Sequence, residues 1–141
     1  MNSNTAQHIE QELVDELILQ QMIKDTCAEI IPTLIEHYIE ESRERMQKIE
    51  RALGEHDLEK LEFEVHTLGS SALALGNRPL SRQARSIEKH CVEGKTQQAL
   101  ELCAALPLLA ERSFEALNLR KAQGFEQQEE NPQNHMNHRT Y

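Results

Sequence analysis

A histidine at the start of a run of small residues is the part of this chain best suited to chemistry. His66 is followed by Thr67-Leu68-Gly69-Ser70-Ser71, and the apolar periodicity around it predicts a helix. Residues three and four apart are neighbours on a helix surface, so Gly69 and Ser70 would lie beside the imidazole. Neither side chain is large enough to cover the ring. We interpret His66 as a nucleophile presented to another macromolecule, since such an uncovered position suits a substrate pocket poorly.

The helix that carries His66 is predicted to have a second, outward-facing apolar strip. Its core positions follow steps of three and four: Leu58, Leu61, Val65, Leu68, Ala72 and Leu75. His66 lies about 130° from the centre of that core stripe. Phe63, Ser70 and Leu73 share the outward strip with it, and apolar side chains around a polar centre often mark a docking surface. The alternative is that Phe63 and Leu73 fold back onto neighbouring helices.

The composition excludes several classes of function. The chain has 141 residues, a formal charge of −9, no Trp and 4% aromatic residues. That charge disfavours nucleic acid and anionic membranes as partners, and the few aromatic residues disfavour base stacking. No signal peptide and no apolar stretch of membrane-spanning length is visible. We therefore predict a cytoplasmic protein.

The chain is rich in good helix formers, and its long apolar stripes are joined by short links. We predict an all-α fold, an antiparallel four-helix bundle with an extra short N-terminal helix. The predicted domain is residues 9–122, with a flexible N-terminus at 1–8 and a disordered polar tail at 123–141. The predicted helices run from about Ile9 to Lys24, Pro32 to Leu53, Asp57 (N-cap) to Leu75, Pro79 to Gly94 and Thr96 (N-cap) to Leu117, with a kink or break at Pro107.

Metal and cofactor sites are not predicted. The three cysteines are widely spaced and form no Cys-x-x-Cys pair. A di-metal bundle needs Glu-x-x-His pairs, but the residues three before the central histidines are Leu34, Leu53, Phe63 and Ile87. His135 and His138 in the tail are weak candidates. Phosphate-binding glycine loops are also missing, which disfavours a kinase.

From Leu13 to Leu119 the chain resembles the histidine-containing phosphotransfer (HPt) domains of bacterial phosphorelays. Their signature is His-x-Leu-Lys-Gly-Ser-Ser, with a Gly ten residues after the histidine. The matching residues here are His66, Leu68, Ser71 and Gly76, followed by Leu80 and the pair Ile87-Glu88. The adjacent serines and the Ile31-Pro32 approach look similar to the stand-alone LuxU type of quorum-sensing circuits.

The resemblance implies a phosphocarrier, not an enzyme. His66 would accept a phosphoryl group from a receiver-domain aspartate of a hybrid sensor histidine kinase and pass it to a response regulator receiver. Glu88 would accept a hydrogen bond from Nδ1–H and leave Nε2 as the nucleophile. Mg²⁺ would sit on the partner receiver, with no cofactor on this chain, and a monomer suits this interpretation. The predicted docking residues are Phe63, Gly69, Ser70 and Leu73.

One residue departs from the family pattern. Gly69 stands where HPt domains usually have a lysine, so a cation expected near the phosphoryl group is missing. Arg85 lies three residues before Glu88 and is the candidate substitute, although it could simply pair with Glu88 or solvent. If nothing substitutes, the protein would be a transfer-impaired module that binds and sequesters receivers. The sequence also predicts that Gly69→Lys accelerates transfer.

Overall fold

The computed structural model of this protein describes residues 13–127, and this part of the chain contains helices and no strand. The predicted flexible N-terminus, Ile9 and the tail histidines His135 and His138 lie outside the described residues. The elements are α1 (Glu16–Asp25), a 3₁₀ turn (Ala28–Ile30), α2 (Ile31–Gly54), α3 (Leu58–Ala74), α4 (Arg78–Val92), α5 (Thr96–Ala104) and α6 (Leu106–Ala122).

Four helical members pack around one core. Helix α2 packs on α3, α3 on α4, and α4 on α5 and α6, while α6 returns to α2 and closes the ring. Only Ala105 separates α5 from α6, and Pro107 lies in the first turn of α6. These two helices form the fourth member, split at the position that the proline predicts. The predicted all-α bundle is confirmed. Its largest fully buried side chains include Leu19, Ile35, Ile49, Leu61, Leu68, Ile87 and Phe114.

The first helix differs from its prediction. Helix α1 begins at Glu16, because Asp15 accepts a hydrogen bond from the Leu17 amide at 3.0 Å and caps the helix. The amide of Asp15 donates to the carbonyl of Gly76 at 2.8 Å, which ties this start to the end of α3. Leu17 on this helix is 80% exposed, and Leu19 and Ile23 are its buried residues.

The other helix ends confirm the expected capping residues in part. Asp57 caps α3, where its carboxylate accepts from the Lys60 amide at 3.1 Å. Helix α2 ends at Gly54, but His56 is the residue that takes the left-handed conformation, with φ of 56°. Thr96 is not an N-cap: it is the first residue of α5, and no side chain caps that helix.

The first residues of the predicted disordered tail lie against the bundle. Phe125 packs on the core beneath the guanidinium of Arg120, whose Cζ is 4.4 Å from the ring centroid. The side chain of Gln127 accepts from the amide of Ala28 at 2.9 Å. Tertiary contacts therefore hold residues 124–127, which their composition alone does not indicate.

We expect Gly76→Ala to lower the free energy of unfolding. Gly76 has φ of +89°, and a Cβ there would lie 3.2 Å from the carbonyl oxygen of Asp15. A non-glycine residue in the left-handed region has a conformational energy about 1–2 kcal/mol higher than in the right-handed region, and this lowers the free energy of unfolding. The matched control is Gly54→Ala, because nothing lies within 4 Å of a Cβ at Gly54. Urea unfolding followed by circular dichroism checks both, and equal stabilities would contradict the role given to Gly76.

Candidate functional site

The core stripe of α3 fixes the direction in which His66 points. Val65 and Leu68 on either side of it are fully buried, so the helix cannot rotate to bring His66 into the core. The His66 side chain is 61% exposed. The first requirement for an accessible nucleophile is therefore met.

Helix α4 places a carboxylate beside the imidazole. Ile87 is fully buried, and the next residue, Glu88, turns toward α3 with its side chain 26% exposed. Nδ1 of His66 lies 2.8 Å from Oε2 of Glu88. An ionised carboxylate can only accept hydrogen bonds, so in the neutral imidazole Nδ1 carries the proton and Nε2 keeps the lone pair. Among residues 13–127, no partner hydrogen-bonds to Nε2.

Gly69 is buried, which corrects its prediction as a docking residue. The side chain of Arg85 lies across it: a Cβ on Gly69 would be 3.1 Å from Cγ of Arg85 and 3.6 Å from Cβ of Ala84. The hydroxyl of Ser81 donates to the Gly69 carbonyl at 2.7 Å. Ser81 was not predicted from the sequence. The only available signal was its position three residues before Ala84, on the side of α4 that faces α3.

Arg85 does not pair with Glu88, so of the two simpler expectations for it only the exposure to solvent is met. Within the described part of the chain Arg85 makes no ion pair and no hydrogen bond. Its side chain is exposed. The carboxylate of Glu88 is engaged by His66 instead.

The predicted outward strip of α3 lies at the surface. Phe63 is 63% exposed, Leu73 is 37% exposed, and Ser70 between them is exposed too. Phe63 therefore does not fold back onto neighbouring helices, whereas Leu73 is covered over more than half of its surface and exposes the rest. We call Phe63, His66, Ser70 and Leu73 the α3 strip.

Other reactive sites receive no support from the described residues. A groove of about 400 Å³ lies between α2 and α6, with no lining residue from α3 or α4. Burial raises the pKa of Cys103 to about 11 and also raises that of Cys91, so both thiols stay protonated at neutral pH.

Residues 13–127 hold no group of three or more His, Cys, Asp or Glu able to bind a metal. In the same range, every helix is too short or too polar to cross a membrane.

This arrangement can present one imidazole nitrogen, with its tautomer set by a carboxylate, on an open and partly apolar surface. Such a nitrogen is suited to act as a nucleophile that accepts a chemical group from another protein. In the described part of the chain, the groove between α2 and α6 has no lining residue from the helices that carry His66 and Glu88. The geometry thus favours a partner macromolecule over a pocket ligand.

This chain is similar to known proteins in sequence family and in fold. The Hpt domain family model matches residues 33–117, which include both His66 and Glu88. The fold is similar to the crystal structure of histidine-containing phosphotransfer protein B from Pseudomonas aeruginosa PAO1, with a TM-score of 0.73 and 17% sequence identity, over 79% of this chain and 96% of that chain. No curated protein sequence matches this one. The likeness to the LuxU type stays a prediction. Because the family match spans more than half of its length, the chain belongs to the Hpt domain family of phosphotransfer signalling proteins.

Proposed function

We propose that this protein carries phosphoryl groups between receiver domains in a phosphorelay. His66 takes the group from the phospho-aspartate of a hybrid sensor kinase and passes it to the receiver of a response regulator. The observation that supports this most is the exposed imidazole, whose Nδ1 lies 2.8 Å from Glu88 while Nε2 is open.

The transfer step needs little from this chain beyond one nitrogen and one carboxylate. The Nε2 lone pair attacks phosphorus, an N–P bond forms, and the bond from phosphorus to the aspartyl oxygen breaks. The aspartate leaves as a carboxylate, and the ring keeps its Nδ1 proton and becomes positively charged. The negative charge of Glu88 stabilises that cation, because the two groups are in hydrogen-bond contact. Transfer to the next receiver is the reverse of this step.

Docking would use the α3 strip. A receiver that covers Phe63 and Leu73 removes exposed apolar surface from water, and the small side chain of Ser70 lets its active site approach His66. The receiver brings the aspartate and its Mg²⁺. We expect this chain to act as a monomer in the cytoplasm, to have no kinase activity of its own, and to bind neither nucleic acid nor membrane. No observation favours the sequestering module.

The test uses a panel of receiver domains loaded with radiolabelled phosphate from acetyl phosphate. We expect at least one receiver to pass its label to this chain. The label should be stable in alkali and lost in acid, because the phosphoramidate bond of phosphohistidine has that behaviour. Receivers that form a complex with the chain but keep their label would support sequestration and contradict the proposal.

A further inference from the structure

We infer that Gly69 and Arg85 act as one unit, in which Gly69 leaves room for Arg85 to bring its charge to the phosphoryl group on His66. This inference rests on the proposed function. It makes Arg85 a residue that contacts the transferred group and Gly69 the residue that positions Arg85. Helix α4 would then supply both the carboxylate and the cation of the site.

The contact geometry is the first support. A Cβ on Gly69 would lie 3.1 Å from Cγ and 3.6 Å from Nε of Arg85. The arginine side chain therefore occupies space that any larger residue at this position would take. Since Gly69 follows His66 by three residues, the two lie on the same side of α3. Nε of Arg85 thus lies beside the residue that is one helical turn along α3 from His66.

The lack of a carboxylate partner is the second support. Four other arginines, Arg43, Arg45, Arg78 and Arg120, each pair with an Asp or Glu. Arg85 has no such partner among residues 13–127, and neither have Arg51, Arg82 and Arg112. Of these four, Arg85 is the one whose side chain lies against Gly69 on the helix that carries His66. Its guanidinium is free to bind an anion that arrives from outside.

The chemistry of the site creates the need for such a cation. A phosphoryl group in transfer spreads negative charge over three oxygens, and positioned positive charge lowers the barrier. Glu88 stabilises the ring, but its negative charge also opposes the arriving phosphate. A guanidinium offers parallel N–H donors that match phosphate oxygens. A glycine inside a helix is less stable than an alanine by about 1 kcal/mol. The space that Gly69 leaves for the Arg85 side chain is a physical reason for a glycine at this position.

The first arm of the test measures single-turnover transfer from a phosphorylated receiver at several receiver concentrations. We expect Arg85→Ala to lower the maximal rate about tenfold, which is less than the roughly hundredfold or greater effect of a preorganised donor in a water-excluded site, because Arg85 is exposed. The half-saturating concentration should change little. Arg85→Lys should recover part of the rate. The matched control is Arg82→Ala, an exposed arginine one turn earlier on α4, which should transfer like the native chain.

The second arm tests whether Gly69 works through Arg85. We expect Gly69→Ala to slow transfer in the native chain and to have no further effect when combined with Arg85→Ala. Gly69→Lys combined with Arg85→Ala should restore transfer, because the charge then comes from α3. In the native chain Gly69→Lys should not accelerate transfer, contrary to the sequence-based expectation, since its Cβ would displace Arg85. Thermal melting of each variant checks that the bundle is intact.

The outcomes separate this inference from the proposed function. Label on the native chain with an unchanged rate for Arg85→Ala would overturn the inference alone. An equal loss of transfer rate in Arg82→Ala would also overturn it, because the removal of any positive charge from α4 would then explain the effect. If Gly69→Ala and Arg85→Ala had independent effects, Gly69 would not act through Arg85. No label on the native chain from any receiver would overturn both.

Discussion

The His66→Gln chain should accept no detectable phosphoryl group while its bundle stays folded. A glutamine amide has no nucleophilic lone pair at nitrogen, so the N–P bond cannot form. The side chain is 61% exposed and an amide N–H can still donate to Glu88. Exposed substitutions of this kind change the free energy of unfolding by about 0.5 kcal/mol at most. Radiolabel transfer from a receiver and thermal unfolding together measure the result.

The matched control for this prediction is His37→Gln. His37 is also exposed and also pairs with a carboxylate, that of Glu41, but it lies on α2. We expect this variant to take up label at the native rate. Label retained on His66→Gln would show that a different residue is the acceptor, and loss of label in both variants would point to a general defect.

Asn77→Ala should produce the largest loss of stability among the polar residues. Asn77 is fully buried at the link between α3 and α4. Its side-chain oxygen accepts from the Tyr38 hydroxyl at 2.8 Å, and its amide nitrogen donates to the carbonyls of Leu13 at 2.8 Å and Ser113 at 3.3 Å. One side chain therefore joins α2, α6 and the segment that precedes α1.

We expect Asn77→Ala to lower the free energy of unfolding by about 3 kcal/mol, since each buried group left without a partner loses about 1 kcal/mol or more. Tyr38→Phe removes only one of the three bonds and should lose about 1 kcal/mol. Because both changes break the same bond, the double variant should lose less than the sum. Urea unfolding gives all three values. A loss below that of Tyr38→Phe would contradict the network.

The sequence predicts the direction of His66 well, because direction depends only on position within a helix. The core stripe of α3 alone places His66 at the margin, and the structure has it exposed. The contact with Glu88 could be predicted only through the family resemblance, since His66 and Glu88 lie on different helices. The 2.8 Å distance is a property of how α3 and α4 pack.

Contacts between elements account for the predictions that were wrong. Gly69 was predicted as a docking residue because it neighbours His66 on α3, yet Arg85 and α4 cover it. Phe125 and Gln127 belong to a polar segment without periodicity, and partners about a hundred positions earlier hold Gln127. Local sequence patterns carry no information about neighbours of this kind.

The most direct measurement is nuclear magnetic resonance of the imidazole nitrogens after phosphorylation by a receiver. We predict that the N–P coupling appears on Nε2 of His66 and that Nδ1 stays protonated against Glu88. Phosphate on Nδ1, or on any other residue, would contradict the assignment of Nε2 as the open nucleophile.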